Sequence, residues 1–459
     1  MPTHRSSIPP RAALTGAATV TTVGLLLSAC GTPTTPVAAP GAGSSSTPAA
    51  TSSAGSNERE VASISPRIVV SHADGLTTLD AATGRVVDET SHPGFLRLNN
   101  AGDGRHVMVS DSDVFRVYDA GIEAQRHGDH HHYREFTPGL TDVTYDAKHA
   151  GHVVLHAGLA TLFADGTGAI QILSSGDIAK ASAAIRHAKT DAPHHGVALE
   201  LSDGSLLTTQ GTQEARSTVQ VRRGDTVLAQ TSDCPGVHGE AVAAPTRGTK
   251  GTKGAKSTDV VVFGCEDGPV VLRDGAFHKV PVKDAYARSG NLAGSHTSPI
   301  VLGDYKVEKK TDENTEPEHP TRVALIDTRA DRLDLVDLKS PYWFRSLARG
   351  PKGEGIVLTY DGALKIVDPT SKAVTASIPV ISSWTEKKDW QEPGPAVKVA
   401  GTNAYVTDAE QKTLSVIDLT TRAVIRKFDL PHTPVEFAVV AGSPEAPRAD
   451  ATGHEGHSH

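Results

Sequence analysis

Short alternations of apolar and polar residues, broken by Asp, Gly and Asn turns, recur along the chain, and sustained helical periodicity is scarce. This pattern predicts an all-β protein. The clearest units are Ile68–Val87, Ile356–Ile378 and Ala404–Phe428, each a strand, a polar turn, a second strand ending in an Asp turn, and a third strand. Weaker copies run over 106–118, 152–173, 197–229, 260–282 and 323–338. Counting all of them gives a spacing of roughly 45 residues, in the range of propeller repeats. The expectation is a single β-propeller of eight blades, with seven as the alternative. A Gly/Lys run at 247–256 and a charged, Pro-containing run at 308–320 read as surface loops between strands.

The ends have a different composition. Arg5 and Arg11 precede an apolar run from Ala12 to Leu27, followed by Leu27-Ser28-Ala29-Cys30-Gly31, the pattern of a secretory leader with a lipobox. Residues 1–29 are therefore expected to be a lipoprotein signal peptide, with Cys30 lipidated. From Cys30 to residue 60, Gly, Ser, Thr, Ala and Pro dominate, a composition suited to a flexible tether. The propeller is expected over 61–441 and a disordered His-containing tail over 442–459. The mature chain would sit outside the cytoplasm, lipid-anchored to the outer face of the cell membrane or in a periplasmic space. In that oxidising compartment Cys234 and Cys265 read as a disulfide, with two zinc thiolates as the competing reading. The formal net charge is -8 with both signs interspersed, and no basic stripe points to nucleic acid.

Chemistry enters with histidine. His127-Gly128-Asp129-His130-His131-His132 packs four imidazoles and a carboxylate into six residues between predicted strands. Imidazole suits zinc and other transition metals, whereas Ca and Mg prefer oxygen sites. The terminal run Gly453-His454-Glu455-Gly456-His457-Ser458-His459 repeats the theme more weakly. In a propeller, the loops entering the innermost strands converge at one mouth, so residues distant in sequence can meet there. Histidine occupies several such entrances, at Pro193-His194-His195-Gly196, Gly236-Val237-His238-Gly239-Glu240, Ala293-Gly294-Ser295-His296 and Lys148-His149-Ala150-Gly151-His152. A site built from His195, His238 and His296 could hold Zn(II), and the adjacent glycines would let backbones approach closely.

Several stretches in order along the chain resemble the zinc metallochaperones of the AztD type. They are His127-Gly-Asp-His130, His152-Val-Val-Leu-His156 with Phe163-Ala-Asp-Gly-Thr-Gly168, Pro193-His-His-Gly-Val197, Cys234-Pro-Gly-Val-His238-Gly-Glu240 and Phe263-Gly-Cys-Glu-Asp-Gly268. The resemblance implies an extracytoplasmic β-propeller that is not an enzyme. Such a protein binds Zn(II) as cargo and delivers it to the zinc-specific solute-binding protein of an ABC importer. It further implies a structured site, placed here at His195, His238 and His296, and a mobile loop contributing His127, Asp129, His130 and His132. The lipobox and tether depart from the family pattern and point to a membrane-anchored donor, taken as a monomer. The alternative is a cell-surface propeller acting as a protein-interaction scaffold. A lactonase-like hydrolase would need a carboxylate and Asn cage in place of histidines, and an importer's own binding protein would need long helices.

Overall fold

A computed structural model describes residues 58–246, 258–310 and 318–444. Cys30, the leader, most of the tether and the tail histidines His454, His457 and His459 lie outside these residues. The described residues contain no α-helix, only two 3-10 turns at Ser175–Asp177 and Phe344–Ser346, and none of their helices is long and apolar enough to cross a membrane. They form eight four-stranded antiparallel sheets and one three-stranded sheet. Each four-stranded sheet contains one of the eight sequence repeats. Successive sheets touch, and the eighth touches the first, which closes the ring of a β-propeller.

The closure is made by the two ends of the folded chain. Glu436–Val440 pairs with Arg67–His72, with Val69 opposite Ala438, so the first sheet takes its innermost strand from the C-terminal end. Eight apolar clusters hold the ring together, one between each pair of neighbouring sheets. Alternate residues of a middle strand serve different clusters. Ile68 and Val70 pack toward the eighth sheet while Val69 packs toward the second. A strand buried on both faces reads as a continuous apolar run, as Ile68-Val69-Val70 does. The recurrent Asp turns have a direct cause as well: one carboxylate oxygen of Asp80 accepts from the backbone N–H groups of Ala82 and Thr83, and Asp418 does the same with Thr420 and Thr421.

Innermost strands of several neighbouring sheets touch, and His195 and His238 stand at the entrances of two of them. The innermost strands include Arg97–Asn100, Ala150–His156, Ala198–Glu200, His238–Thr246, Leu347–Arg349, Ala396–Ala400 and Glu436–Val440. One excursion breaks the regularity. Between the third and fourth strands of the second sheet, Val114–Asp119 and Gly139–Asp146, the chain runs out into a hairpin, Ile122–His127 and His130–Glu135. Arg59–Val61 adds a third strand to it, Arg59 facing Glu135 and Glu60 facing Arg134. Arg59 and Glu60, assigned to the tether by composition, are thus in ordered sheet. Buried Arg67 ties this small sheet to the ring, pairing Asp80 at 2.6 Å and Glu135 at 2.7 Å.

Cys234 and Cys265 are bonded, with Cα atoms 4.9 Å apart, and both are fully buried. The bond fastens the approach to the innermost strand His238–Thr246 to the end of its neighbour Thr258–Gly264. Replacing both cysteines by alanine should lower the unfolding free energy by about 3 to 4 kcal/mol on chain-entropy grounds, read by denaturant titration. An unchanged midpoint would show that the crosslink restrains nothing the unfolded chain lacks.

Candidate metal centre

His195 and His238 meet across neighbouring sheets, their Nε2 atoms 3.1 Å apart. His195 lies just before Ala198–Glu200, and His238 opens His238–Thr246. The third ring in the group is His152, from Ala150–His156, with ring centroids 4.9 Å from His195 and 6.1 Å from His238. His296, the third member expected from sequence, stands exposed on the turn after Leu292–Ala293. Asp165, on the turn after Leu159–Ala164, joins the cluster, and ligand atoms of His152, Asp165 and His195 all lie within 4.8 Å of one another.

The other ring nitrogens explain why these Nε2 atoms matter. His238 Nδ1–H donates to the Gly290 carbonyl at 2.7 Å and His152 Nδ1–H to the Gly196 carbonyl at 3.0 Å. His195 Nδ1–H donates to Asp165 Oδ2 at 2.5 Å, while Asp165 Oδ1 accepts from the Gly196 N–H at 3.4 Å. Once Nδ1 carries the proton, a neutral imidazole has a bare lone pair at Nε2. His195 and His238 therefore turn their Nε2 atoms toward one small volume, where two such lone pairs would attract a cation. Two nitrogens on a tetrahedral zinc at ordinary bond lengths stand about 3.3 Å apart. The observed separation is close to that.

Glycine makes the approach feasible at two points. A Cβ at Gly151 would collide with the Asp165 carboxylate, and Gly239 has φ +73° with the Gly290 carbonyl packed where a side chain would go. His194, beside His195, is a structural residue: fully buried, it bonds the Ala192 carbonyl and the Thr209 hydroxyl, each at 2.9 Å.

The surroundings of His152 and His238 disfavour their protonation. Burial lowers His238 to about 3, assisted by His195 and by the charges of Arg288 and Arg216. Burial also drives His152 well below the usual histidine range, with His195, His238 and Arg97 adding to it. Glu240 is pushed by burial up to about 8, so at neutral pH it contributes little negative charge. Asp165 is then the carboxylate in direct contact with the imidazoles.

The run at 127–132, expected as a mobile loop, forms the tip of a hairpin. Gly128, with φ +61°, and Asp129 form a two-residue turn with glycine at the first central position. His127, His130 and His132 share one side, with ring centroids 5.0 to 5.7 Å apart, while His131 stacks on Tyr133. The wiring of the axial cluster is repeated here. His130 Nδ1 faces Asp129 at 3.2 Å, His132 Nδ1 faces Glu60 at 3.1 Å, and the two Nε2 atoms stand 3.2 Å apart. Glu60 was not anticipated from sequence. A third group, His72, Asp74 and His432, has a different geometry. Its rings are stacked at 4.0 Å and within 9° of parallel, so their in-plane lone pairs do not share a target, and His72 Nε2 faces Thr77 at 3.1 Å.

Among proteins of known role, the chain is 23% identical over 397 residues to the zinc chaperone AztD of Citrobacter koseri, spanning 84% of this chain and 88% of that one. The likeness is to AztD. Two crystal structures of Citrobacter koseri AztD, one of them apo, superpose with a TM-score of 0.67 at 21% and 22% identity, each covering 83% of this chain and 99% of the other. At that identity they establish the shared fold. No family model matches the chain.

The histidine wiring has a consequence for the zinc-free protein. An unfolded His238 titrates near the ordinary histidine value of about 6.5, whereas the folded one resists protonation down to about 3. As pH falls from 6.5 the unfolded chain takes up protons that the folded chain refuses, so stability present above 6.5 is progressively lost. The melting temperature should drop between pH 7 and pH 5, and His238→Gln should flatten the drop. An identical pH profile in that variant would remove His238 as its source.

Proposed function

We propose that the protein is an extracytoplasmic zinc chaperone, not an enzyme. It holds Zn(II) as cargo on His152, His195 and His238, with Asp165 orienting His195 or completing the coordination. The single observation carrying this reading is the pair of Nε2 atoms 3.1 Å apart, each ring held at Nδ1 by an acceptor. The resemblance to AztD supplies the cargo and the role. A group that must be handed on benefits from moderate affinity, and Arg97, Arg216 and Arg288 act against a bound cation through the same charges that lower His152 and His238.

The exposed hairpin serves as the transfer arm. His127, His130 and His132 can form mixed-ligand intermediates, so that zinc changes partners without entering water. The recipient is the zinc-specific solute-binding protein of an ABC importer. Anchoring through Cys30 would place donor and recipient on the same membrane face.

Calorimetric titration of zinc into the chelator-stripped protein should give a stoichiometric site that is lost in His195→Ala and His238→Ala. Asp165→Asn should weaken it about 10 to 100-fold, the usual range for a group that orients a ligating imidazole. A parent protein without stoichiometric binding would return the molecule to the scaffold class. For the arm, replacing His127, His130 and His132 by serine should leave the axial site filled but slow transfer to the binding protein. Transfer no faster than zinc loss to a competing chelator would remove the direct hand-over.

A further inference from the structure

The disulfide stands where both supports of His238 begin. Cys234 precedes His238 by four residues, and Cys265 follows Gly264, which lies opposite His238 in the ladder between His238–Thr246 and Thr258–Gly264. That pair closes the ladder, and an irregularity at Gly239 sets it apart from the next pair, Glu240 with Phe263. Bulges disrupt pairing locally, so the strand end bearing His238 is weakly held by its own ladder.

Two neighbouring sheets reach this end from opposite sides. On one side, the Ser217 carbonyl accepts from the Cys234 N–H at 3.2 Å, and Arg216 Nε donates to the Val237 carbonyl at 2.8 Å. On the other, the carbonyls of Cys265 and Glu266 accept from the N–H groups of Ser289 and Ala287 at 3.2 and 2.7 Å, and Gly290 supplies the carbonyl that takes His238 Nδ1–H. Beside the ring, the two sides are joined by the S–S bond and by the Glu266 N–H, which donates to the Pro235 carbonyl at 2.8 Å. There is little room for adjustment. A Cβ at Gly264 would strike the Ser289 and His238 carbonyls, and one at Gly239 the Gly290 carbonyl. The bond therefore restrains the ligand through one cysteine and the acceptor that turns the ligand through the other.

We propose that formation of the Cys234–Cys265 bond is what sets His238 as a zinc ligand, so that thiol oxidation precedes zinc loading. The proposal rests on the reading of His152, His195 and His238 as the zinc site. In the oxidation, the thiolate of one cysteine attacks the S–S bond of a disulfide-bearing oxidant, giving a mixed disulfide and releasing one thiol of the oxidant. The second cysteine then displaces the other, so two electrons and the two cysteine protons pass to the oxidant. Both cysteines are fully buried in the folded ring, which assigns this exchange to the folding chain. A chain still carrying thiols, as in a reducing compartment, would bind zinc weakly, and the bonded form would acquire its affinity outside. By linkage, zinc protects the bond from reduction by the same factor by which the bond strengthens zinc binding.

The test titrates zinc into the full chain in competition with a chelator, in a His127→Ser, His130→Ser, His132→Ser background so that the axial site alone is read. Three forms are compared: the bonded parent, the parent reduced with a phosphine, and Cys234→Ala with Cys265→Ala. Both unbonded forms should bind about 10 to 100-fold more weakly than the bonded one, the range for groups that orient a ligating imidazole. Leu79→Ala opens a cavity in the buried cluster between the eighth and first sheets, away from the site, and should bind zinc like the parent despite its lower stability. Equal affinity with and without the bond, or a matching loss in Leu79→Ala, would overturn the proposal. Tight binding by the reduced parent alone would make the thiols themselves ligands and overturn it too. A bonded parent that binds no zinc would overturn the zinc reading, and this proposal with it. Where the alanine variant fails to fold, the parent's redox equilibrium decides: in glutathione buffers with free zinc clamped, each tenfold of coupling should make the potential about 30 mV more reducing, and an unmoved potential would overturn the proposal.

Discussion

Two imidazole nitrogens facing each other 3.1 Å apart set the terms for the rest of the axial site. The contact persists because each ring is held from behind: His238 by a carbonyl from the next sheet, His195 by a carboxylate from the preceding one. Neither restraint is local in sequence. Gly290 is 52 residues from His238 and Asp165 is 30 from His195. Only a closed ring brings innermost strands of successive sheets near enough to share hydrogen bonds in this way. The eight inter-sheet apolar clusters are therefore part of the metal chemistry, since they fix the spacing at which the lone pairs meet.

The hairpin solves the same problem with the opposite solvent exposure. Its Nδ1 partners, Asp129 and Glu60, are exposed carboxylates, and its rings are open to water. The axial rings are instead surrounded by arginine charge and use backbone carbonyls as well as a carboxylate. One site is thus negatively framed and exposed, the other half-buried and flanked by arginine charge.

Much of the fold was legible in the sequence because its causes are local. Strands buried on two faces leave apolar runs such as Ile68-Val69-Val70, and carboxylates that cap turns leave Asp at the ends of second strands. His195 and His238 were legible as entrance residues for the same reason. His152 was visible as an entrance histidine, yet nothing in one sequence separates it from His296: the difference lies in the Gly196 carbonyl, 44 residues away, that turns the ring. Asp165 sat in a stretch already noticed but looked like any turn aspartate. The hairpin was hidden because both its faces are polar, so the alternation that betrays a half-buried strand is missing. Glu60 was hidden by the composition of the segment before it. The closure of the first sheet by Glu436–Val440 joins residues from the two ends of the fold, which no local pattern reports.

The strand Arg59–Val61 gives the molecule a mechanical property. The chain enters the ring through the sheet that carries the exposed histidines, and Glu60 touches His132 two residues after the described part begins. Arg67 then clamps that sheet to the first sheet through Glu135. Any load borne by the segment before residue 58 enters at the histidine-bearing hairpin before it reaches the ring. The hairpin imidazoles accordingly sit beside the point where the described chain begins, and the axial site lies further inside the ring.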